Sequence, residues 1–296
     1  MRVCTVGLGL MGSALARRLK SVGLDVIVYN RSLDKARRLA EELGTSFADT
    51  PGKCCREADV TVLFVADDEA LIDVALMPQG LADEVRGRDV VNMSTVSTAV
   101  SLRVSRVVEE RGGRYVEAPV WGSASEVLEG RLIAMVASSG ELSENVKRLL
   151  SAVAQRIIVV GGVPKAMALK LALNQLNMVV VATLSETLPF LKLYGVDFRT
   201  LEELVKGSWM EPIVVRYLRR AVEEQPPRFR VELAAKDLQC FIESARVHKL
   251  NTPITAAAMQ RYLEATLNGY GEKDYPNVAK YILDALEKLK KQAIIM

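Results

Sequence analysis

Lys170 and Asn174 are the residues whose types and spacing best suit proton transfer. They stand four positions apart, so in a helix both side chains project from one face. Leu169, Leu171 and Leu173 surround them in the sequence, and burial lowers the pKa of a lysine toward the range of an acid/base catalyst. The pattern predicts a lysine general acid/base with an asparagine beside it. The alternative is a lysine that lays its aliphatic stem along a helix edge and keeps its ammonium in water.

The histidine and cysteine content restricts other chemistries. The chain has one histidine, His248, in a polar stretch near a predicted helix end, so we expect it at the surface or at a helix terminus. A Ser-His-Asp triad, a His-rich metal site and a His-Asp proton relay all need a positioned imidazole. The cysteines form neither a Cys-x-x-Cys pair nor a metal-ligand spacing. We therefore predict no metal site and four core thiols: Cys4, Cys54, Cys55 and Cys240.

A glycine loop near the start of the chain suits a phosphate ligand. The predicted strand Arg2–Val6 runs directly into this loop, and a helical pattern follows at Ser13–Ser21. In this context Gly7 permits a tight turn, Gly9 lets the backbone approach phosphate, and Gly12 lets the helix pack against the strand. The pyrophosphate of a dinucleotide would lie at the helix N-terminus. The predicted cofactor loop is Gly7, Leu8, Gly9, Leu10, Met11 and Gly12.

The end of the second predicted strand indicates which nicotinamide dinucleotide the chain prefers. Enzymes that use NAD commonly place a carboxylate there for the ribose hydroxyl, whereas this chain has Asn30, Arg31 and Ser32. A guanidinium between two small polar residues suits a 2′-phosphate, and there is no carboxylate to repel it. The sequence favours NADP over NAD. The alternative is that Arg31 is a solvated loop residue.

Alternating strand and helix patterns in the first half predict an α/β, Rossmann-type, doubly wound parallel sheet. The predicted strands are Arg2–Val6, Asp25–Tyr29, Val60–Val65, Asp89–Asn92, Arg114–Glu117, Ile133–Ala137 and Arg156–Val160. Apolar positions at helical spacing predict helices at Ser13–Ser21, Asp34–Leu43, Glu69–Ala75, Thr98–Arg111 and Ser143–Val153.

Helical patterns alone follow Gly161-Gly162-Val163-Pro164, so we predict two domains, residues 1–162 and residues 163–296. The first is a cofactor-binding domain and the second an all-α domain for substrate binding and oligomerisation. The segment from Lys165 to Tyr194 contains no glycine and predicts a long interdomain helix. Further helices are predicted at Thr200–Lys206, Val214–Glu223, Val231–Val247, Thr255–Leu267 and Tyr275–Lys290.

Five ordered segments, which cover essentially the whole chain, resemble motifs of the β-hydroxyacid dehydrogenases, the family that contains 3-hydroxyisobutyrate dehydrogenase. The glycine loop with Met11 and the triplet Asn30-Arg31-Ser32 resemble the first motif. The other segments that resemble family motifs are Asn92-Met93-Ser94-Thr95-Val96, Glu117-Ala118-Pro119-Val120-Trp121-Gly122-Ser123, Lys170-Leu171-Ala172-Leu173-Asn174 and Lys236-Asp237-Leu238.

The resemblance implies roles for single residues. Lys170 would be the general acid/base, and Asn174 would orient the substrate hydroxyl or carbonyl. Residues implied to approach the cofactor are Val65, Ala66, Thr95 and Lys236; those implied to hold a small carboxylate substrate are Ser94, Trp121, Gly122 and Ser123. The chain also departs from the family, which usually has serine at the position of Trp121 and often a polar residue at that of Ala70. Trp121 either contacts substrate or packs as a wall.

The residues at the end of the second strand favour NADP, and the resemblance implies oxidation of a short 3-hydroxy acid, of the serine, 3-hydroxyisobutyrate or 3-hydroxypropionate type, to its semialdehyde. An alternative is an NADPH-dependent glyoxylate or succinic semialdehyde reductase. An imine reductase is less favoured, because those relatives commonly replace the lysine that is present here. A binding module that has lost its chemistry is also an alternative, against which Lys170 and Asn174 argue.

Composition restricts partners and location. The 296 residues carry 39 basic and 36 acidic side chains, giving a net charge of +3 without a basic run, so no nucleic-acid partner is expected. No uninterrupted apolar stretch of about 18 residues is present, so we expect no membrane partner. The strand-like N-terminus differs from a signal peptide, and we expect a cytoplasmic protein. Apolar helical faces favour a homodimer or homotetramer.

Overall fold

Backbone contacts divide the chain into two units, Met1–Ala172 and Leu173–Met296. The computed structural model describes the backbone of residues 1–295 and the side chains of residues 1–289. Met296, the last residue of the second predicted domain, lies outside the described residues.

Within the described residues, nine strands form one sheet in the first unit. They are β1 Arg2–Val6, β2 Asp25–Tyr29, β3 Ser46–Phe47, β4 Val60–Leu63, β5 Asp89–Asn92, β6 Arg114–Glu117, β7 Val120–Trp121, β8 Leu132–Ser138 and β9 Ala154–Gly161. The strand order is β3-β2-β1-β4-β5-β6-β8-β7, and β9 pairs with β8. This arrangement confirms the predicted doubly wound α/β fold, in which the order reverses between β1 and β4.

The expectation of a parallel sheet is wrong at one edge, because β8 runs antiparallel to both β6 and β7. Only residues 122–131 separate β7 from β8. A parallel crossover needs about a dozen or more residues, so a connection of this length favours an antiparallel pair. The remaining neighbours from β3 through β6 are parallel, as is the pair β8 and β9.

The helices of the first unit cover the sheet, and apolar side chains such as Leu15, Leu19, Val62 and Leu149 form its buried core. The helices are α1 Leu10–Ser21, α2 Leu33–Leu43, α3 Pro51–Arg56, α4 Asp68–Leu76, α5 Thr98–Glu110, α6 Ala124–Glu129 and α7 Glu144–Val153. The elements that sequence periodicity missed are short: β3, β7, α3 and α6 have two to six residues each. A pattern of period 3.6 or 2 cannot be read over such lengths.

The longest helix, α8 Lys165–Leu193, begins in the first unit and continues in the second. By length and composition α8 could cross a membrane, but core helices of soluble proteins pass the same test. Its residues Met178, Val181, Leu184 and Leu188 belong to the buried core of the second unit, which supports the second explanation. The helices that follow are α9 Phe198–Val205, α10 Glu211–Val222, α11 Val231–Val247, α12 Pro253–Ala265 and α13 Val278–Ile295.

The cysteines correct one prediction, because two of the four expected thiols form a disulfide. Cys4 in β1 and Cys54 in α3 are joined, with their Cα atoms 5.7 Å apart. Cys55 and Cys240 are buried thiols, as predicted. His248 is exposed and is the C-cap residue of α11, which confirms its expected position at a helix terminus.

Candidate active site

The glycine loop lies between β1 and α1, and two of its glycines are required by contact with the backbone. Gly7 has φ +88°, and a Cβ there would lie 2.3 Å from the carbonyl oxygen of Phe64. A Cβ on Gly12 would lie 1.8 Å from the carbonyl oxygen of Gly7. Gly9 differs, because nothing lies within 4 Å of the position of its Cβ. The loop is therefore closely packed at both ends and open at its centre.

The N-terminus of α1 fits the pyrophosphate of a dinucleotide. Gly9 is the N-cap, it supplies no side-chain bond to the helix amides, and the first turn carries no acidic residue. Open space lies beside Gly9, as described above, so a phosphate can approach the first-turn amides. Leu10 is mostly exposed at this end of the helix. The residues present thus match the chemistry of an anion site at a helix N-terminus.

The end of β2 contributes Asn30, Arg31 and Ser32. Asn30 Oδ1 accepts a hydrogen bond from Leu8 N at 3.0 Å, so this side chain ties β2 to the glycine loop. Arg31 is exposed, and its positive charge lowers the pKa of Tyr29, whose pKa is raised by the larger effect of burial. Ser32 is the N-cap of α2. Of the three residues, Arg31 presents its charge to solvent beside the cofactor loop.

The ends of β4 and β5 are joined through Ser94. Its hydroxyl accepts from Val65 N at 2.9 Å and donates to the carbonyl oxygen of Leu63 at 3.2 Å. Ser94 is only 2% exposed, so its side chain braces two strand ends rather than facing solvent. Ala66 is exposed next to Val65, and Thr95 is half-buried next to Ser94.

The segment after β7 contains the residues implied to hold a substrate carboxylate. Gly122 has φ +140°, and a Cβ there would lie 2.7 Å from Leu132 Cδ2. The amide of Ser123 donates to Glu126 Oε2 at 2.8 Å, and the Ser123 hydroxyl also contacts this carboxylate. The bonds from Ser123 lower the pKa of Glu126 to about 2. In this structure the Ser123 amide is thus engaged, and an anion would have to displace Glu126 to use it.

Trp121 packs on one side against a small buried cluster that includes Met135, Ala137 and Ala166. Lys170 Nζ lies over its indole ring, 5.3 Å from the centroid. At this distance an ammonium is attracted to the ring face. The departure from the family serine therefore gives the lysine an aromatic neighbour, and the structure brings these two predicted site residues together.

Asn174 follows Lys170 by one turn of α8 and is 5% exposed. Its Nδ2 donates to Asp237 Oδ2 at 2.6 Å. Asp237 Oδ1 forms an ion pair with Lys236 Nζ at 2.5 Å, so Lys236 and Asn174 share one buried carboxylate. The sequence pattern gives Asp237 no role, although it lies in the segment Lys236-Asp237-Leu238. The bond to Asp237 fixes the orientation of the Asn174 side-chain amide and uses one of its two Nδ2 hydrogens.

Glu117 is a second residue that sequence reasoning missed. It ends β6, is fully buried, and Oε2 accepts from Met167 N at 3.1 Å in the first turn of α8. Burial raises the pKa of Glu117, while hydrogen bonds from Ser101 and from the amides of Met167 and Ala166 oppose this rise.

Among the described residues, no group of three or more His, Cys, Asp or Glu side chains could hold a metal ion.

A glycine loop between the first strand and the first helix of a doubly wound sheet is typical of dinucleotide-binding domains. Residues 2–162 match the family model of the NAD-binding domain of 6-phosphogluconate dehydrogenase. Residues 165–282 match that of the NAD-binding region of NADP-dependent 3-hydroxyisobutyrate dehydrogenase. The chain belongs to the β-hydroxyacid dehydrogenase family, which confirms the resemblance inferred from its ordered motifs.

Relatives extend over nearly the full chain. An uncharacterized oxidoreductase of Bacillus subtilis is 28% identical, with 95% of this chain and 100% of that protein covered. Glyoxylate/succinic semialdehyde reductase 1 of Arabidopsis thaliana is 26% identical, with 95% and 98% covered. The Mycobacterium tuberculosis 3-hydroxyisobutyrate dehydrogenase, solved with L-serine, superposes with a TM-score of 0.82 at 20% identity, covering 94% of this chain and 98% of that one. The chain is a nicotinamide-dependent dehydrogenase or reductase of the hydroxyacid type.

Proposed function

We propose that the protein interconverts a short 3-hydroxy acid and its semialdehyde with NADP, and that Lys170 carries the proton. The proposed substrates are of the serine, 3-hydroxyisobutyrate or 3-hydroxypropionate type. The observation that carries the proposal is the position of Lys170 Nζ over the ring of Trp121, a residue that the family resemblance implies in substrate binding. Asn174 stands one helical turn further along, with its amide held by Asp237.

In this proposal the protein's residues bind, orient and deprotonate the substrate. The nicotinamide supplies the hydride acceptor when it is bound. Lys170 Nζ takes the hydroxyl proton in oxidation and returns it to the carbonyl oxygen in reduction. The second Nδ2 hydrogen of Asn174 would donate to the substrate oxygen, because the first is donated to Asp237 and the only hydroxyl proton of the substrate goes to Lys170.

The test replaces Lys170 and uses another lysine of α8 as a matched control. Lys170→Ala is expected to lower kcat by about 100-fold to 10,000-fold, the usual contribution of general acid/base catalysis. Lys165→Ala removes an exposed lysine from the first turn of the same helix and is expected to stay near the wild-type kcat. Cofactor affinity should remain unchanged in both variants. A Lys170→Ala enzyme that keeps kcat within about tenfold of wild type would contradict the assignment.

A second candidate function is reduction of glyoxylate or succinic semialdehyde with NADPH. The full-length similarity to the Arabidopsis thaliana reductase favours it. The contact of Lys170 with Trp121 also favours it, because a ring face stabilises the ammonium form that donates a proton to a carbonyl. Measuring kcat/KM in both directions over a panel of C2 to C4 hydroxy acids and aldehyde acids separates the two candidates. A preference for glyoxylate or succinic semialdehyde over all 3-hydroxy acids would replace the first candidate with the second.

The preference for NADP over NAD is part of the proposal. Arg31 is exposed at the end of β2, and Asn30 and Ser32 add no negative charge beside it. A guanidinium there can pair with a 2′-phosphate. Titration of the purified protein with NADP and with NAD, at matched ionic strength, tests the preference.

We also propose a cytoplasmic homodimer or homotetramer that binds neither nucleic acid nor membrane. Large apolar side chains of the second unit are exposed, among them Tyr194, Leu204 and Trp209 at 74%, 79% and 79%. Exposed apolar surface of this kind favours burial against another copy. Sedimentation at micromolar concentration tests the assembly, and a monomer would contradict it. Disulfides are rare in reducing compartments such as the cytosol. The redox state of Cys4 and Cys54 in protein isolated from cells therefore tests the proposed location.

A further inference from the structure

A run of buried polar side chains lies beneath the strand ends of the first unit. Asn92, Ser101, Tyr115 and Glu117 are each no more than 2% exposed. They come from β5, α5 and β6, and hydrogen bonds join them in one chain. A polar group this deeply buried is costly unless it is hydrogen-bonded, so the loss of any one of these bonds would destabilise the whole hydrogen-bond chain.

The positions of the hydroxyl and amide protons show that this hydrogen-bond chain runs in one direction. Ser101 Oγ donates its single proton to Glu117 Oε1 at 2.5 Å. Tyr115 Oη, 3.0 Å from Ser101 Oγ, must therefore donate to it. Asn92 Nδ2 in turn donates to Tyr115 Oη at 2.9 Å. Every proton in the chain points toward Glu117, and burial raises the pKa of Tyr115, which keeps that proton in place.

One end of the chain reaches the residues implied to approach the cofactor. Asn92 Oδ1 accepts from Ser94 N at 3.0 Å. Ser94 Oγ accepts from Val65 N at 2.9 Å. The ends of β4 and β5 are thus fixed by the same set of bonds.

The other end of the hydrogen-bond chain reaches α8, the helix that carries Lys170. Glu117 Oε2 accepts from Met167 N, and the Ala166 amide also donates to this carboxylate. Met167 lies three residues before Lys170 in the first turn of α8. A carboxylate placed here satisfies amides that have no partner within the helix and interacts favourably with the positive end of the helix dipole.

We propose that Glu117 is a positioning residue, which acts through the chain Ser101, Tyr115 and Asn92 to hold the first turn of α8, and with it Lys170, against the strand ends that receive the nicotinamide. The inference rests on the proposed function of Lys170. Glu117 is suited to this task because an ionised carboxylate only accepts, and donors face both of its oxygens. A glutamine of the same size would turn an NH₂ group toward one of those donors.

The test compares two buried serines of α5. Ser101→Ala removes a link of the chain, whereas Ser105→Ala removes a buried hydroxyl one turn later that donates to Glu109 instead. Ser101→Ala is expected to lower kcat about tenfold, with cofactor KM unchanged, because small misplacements of a catalytic group cost up to about 100-fold. Ser105→Ala is expected to keep the wild-type kcat. Glu117→Gln should lose more than Ser101→Ala, and Glu117→Asp should recover part of the loss.

Amide hydrogen exchange of the peptide covering residues 165–170 gives a readout that needs no activity. Exchange should be faster in Ser101→Ala and Glu117→Gln than in Ser105→Ala, because the Met167 amide loses its acceptor or its acceptor's support. If Ser101→Ala and Ser105→Ala are alike in both exchange and kcat, the positioning role is overturned. If exchange changes as expected and Lys170→Ala keeps wild-type turnover, the hold on α8 stands and the proposed function fails. The serine pair keeps the test valid if Glu117→Gln does not fold.

Discussion

Gly9 and Gly12 make a matched pair for separating cofactor contact from packing. Both lie in the glycine loop, but a Cβ has open space at Gly9 and would lie 1.8 Å from the Gly7 carbonyl oxygen at Gly12. Contacts of a real Cβ below 3.0 Å are essentially absent, so Gly12→Ala forces the helix and the turn apart by more than an ångström. Gly9 has φ −70°, which alanine adopts without strain.

The two alanine variants should therefore change stability in opposite directions. Gly9→Ala is expected to raise the free energy of unfolding by about 0.4–1 kcal/mol, because it restricts the unfolded chain at a compatible position. Gly12→Ala is expected to lower it by about 1–3 kcal/mol, the usual cost of overpacking. For a unit of this size each kcal/mol corresponds to about 2–4 °C in Tm. Thermal unfolding without cofactor measures both changes.

Gly9→Ala, the variant expected to be more stable than wild type, should nevertheless bind NADP more weakly. Gly9→Ala is expected to weaken NADP binding about tenfold, which corresponds to 1.4 kcal/mol, since its methyl group occupies the space through which phosphate approaches. Calorimetric or fluorescence titration measures this loss on a protein that is as stable as the wild type or more so. If Gly9→Ala binds NADP as tightly as wild type, the cofactor does not approach the loop at Gly9. If Gly12→Ala melts at the wild-type temperature, the packing argument fails.

Three further predictions concern the cofactor, the fold at low pH and the disulfide. Arg31→Ala should weaken NADP binding by about 1.5–3 kcal/mol, the contribution of a charge-assisted hydrogen bond, and leave NAD binding unchanged; equal losses in two titrations would contradict this. The pKa of Glu126 is lowered from 4.5 to about 2 in the fold, so its stabilisation is present above pH 4.5 and is lost as pH falls toward 2. The stability difference between wild type and Glu126→Gln in urea unfolding should accordingly shrink over that range, and a difference constant with pH would refute it. Reduction of Cys4–Cys54 should lower the free energy of unfolding by about 4 kcal/mol for a loop of this length; four titratable thiols in the unreduced, denatured protein would rule the bond out.

Periodicity predicted the long elements of this fold well, because each buries one face over enough residues to show a pattern. All seven predicted strands are present with bounds that differ by at most two residues, and α11 has the predicted bounds. The strand β7 contains Trp121, and the helix α6 begins directly after Ser123. Periodicity missed both, because elements of two and six residues are too short to show a repeating pattern. The antiparallel β8 depended on a connection length that could be judged only after β7 had been found.

The site residues could be predicted where the interacting residues are close in sequence, but not where the fold brings together residues that are far apart in sequence. Lys170 and Asn174 are neighbours on one helix face, so their spacing alone paired them. The partner of Asn174 is Asp237, 63 residues away, and sequence spacing carries no information about that contact. Ser94 resembles a substrate contact by its motif, yet its hydroxyl is bonded to two backbone groups that only the folded sheet brings near.

The disulfide has a topological consequence for the first half of the cofactor site. Cys4 and Cys54 close a covalent ring that contains the whole glycine loop, the N-terminus of α1 and Arg31. A protease cut anywhere inside this ring would open it without releasing a fragment, so the two pieces would separate only after reduction. Limited proteolysis followed by electrophoresis with and without reductant would thus report directly whether the dinucleotide-binding segment exists as a closed loop of chain.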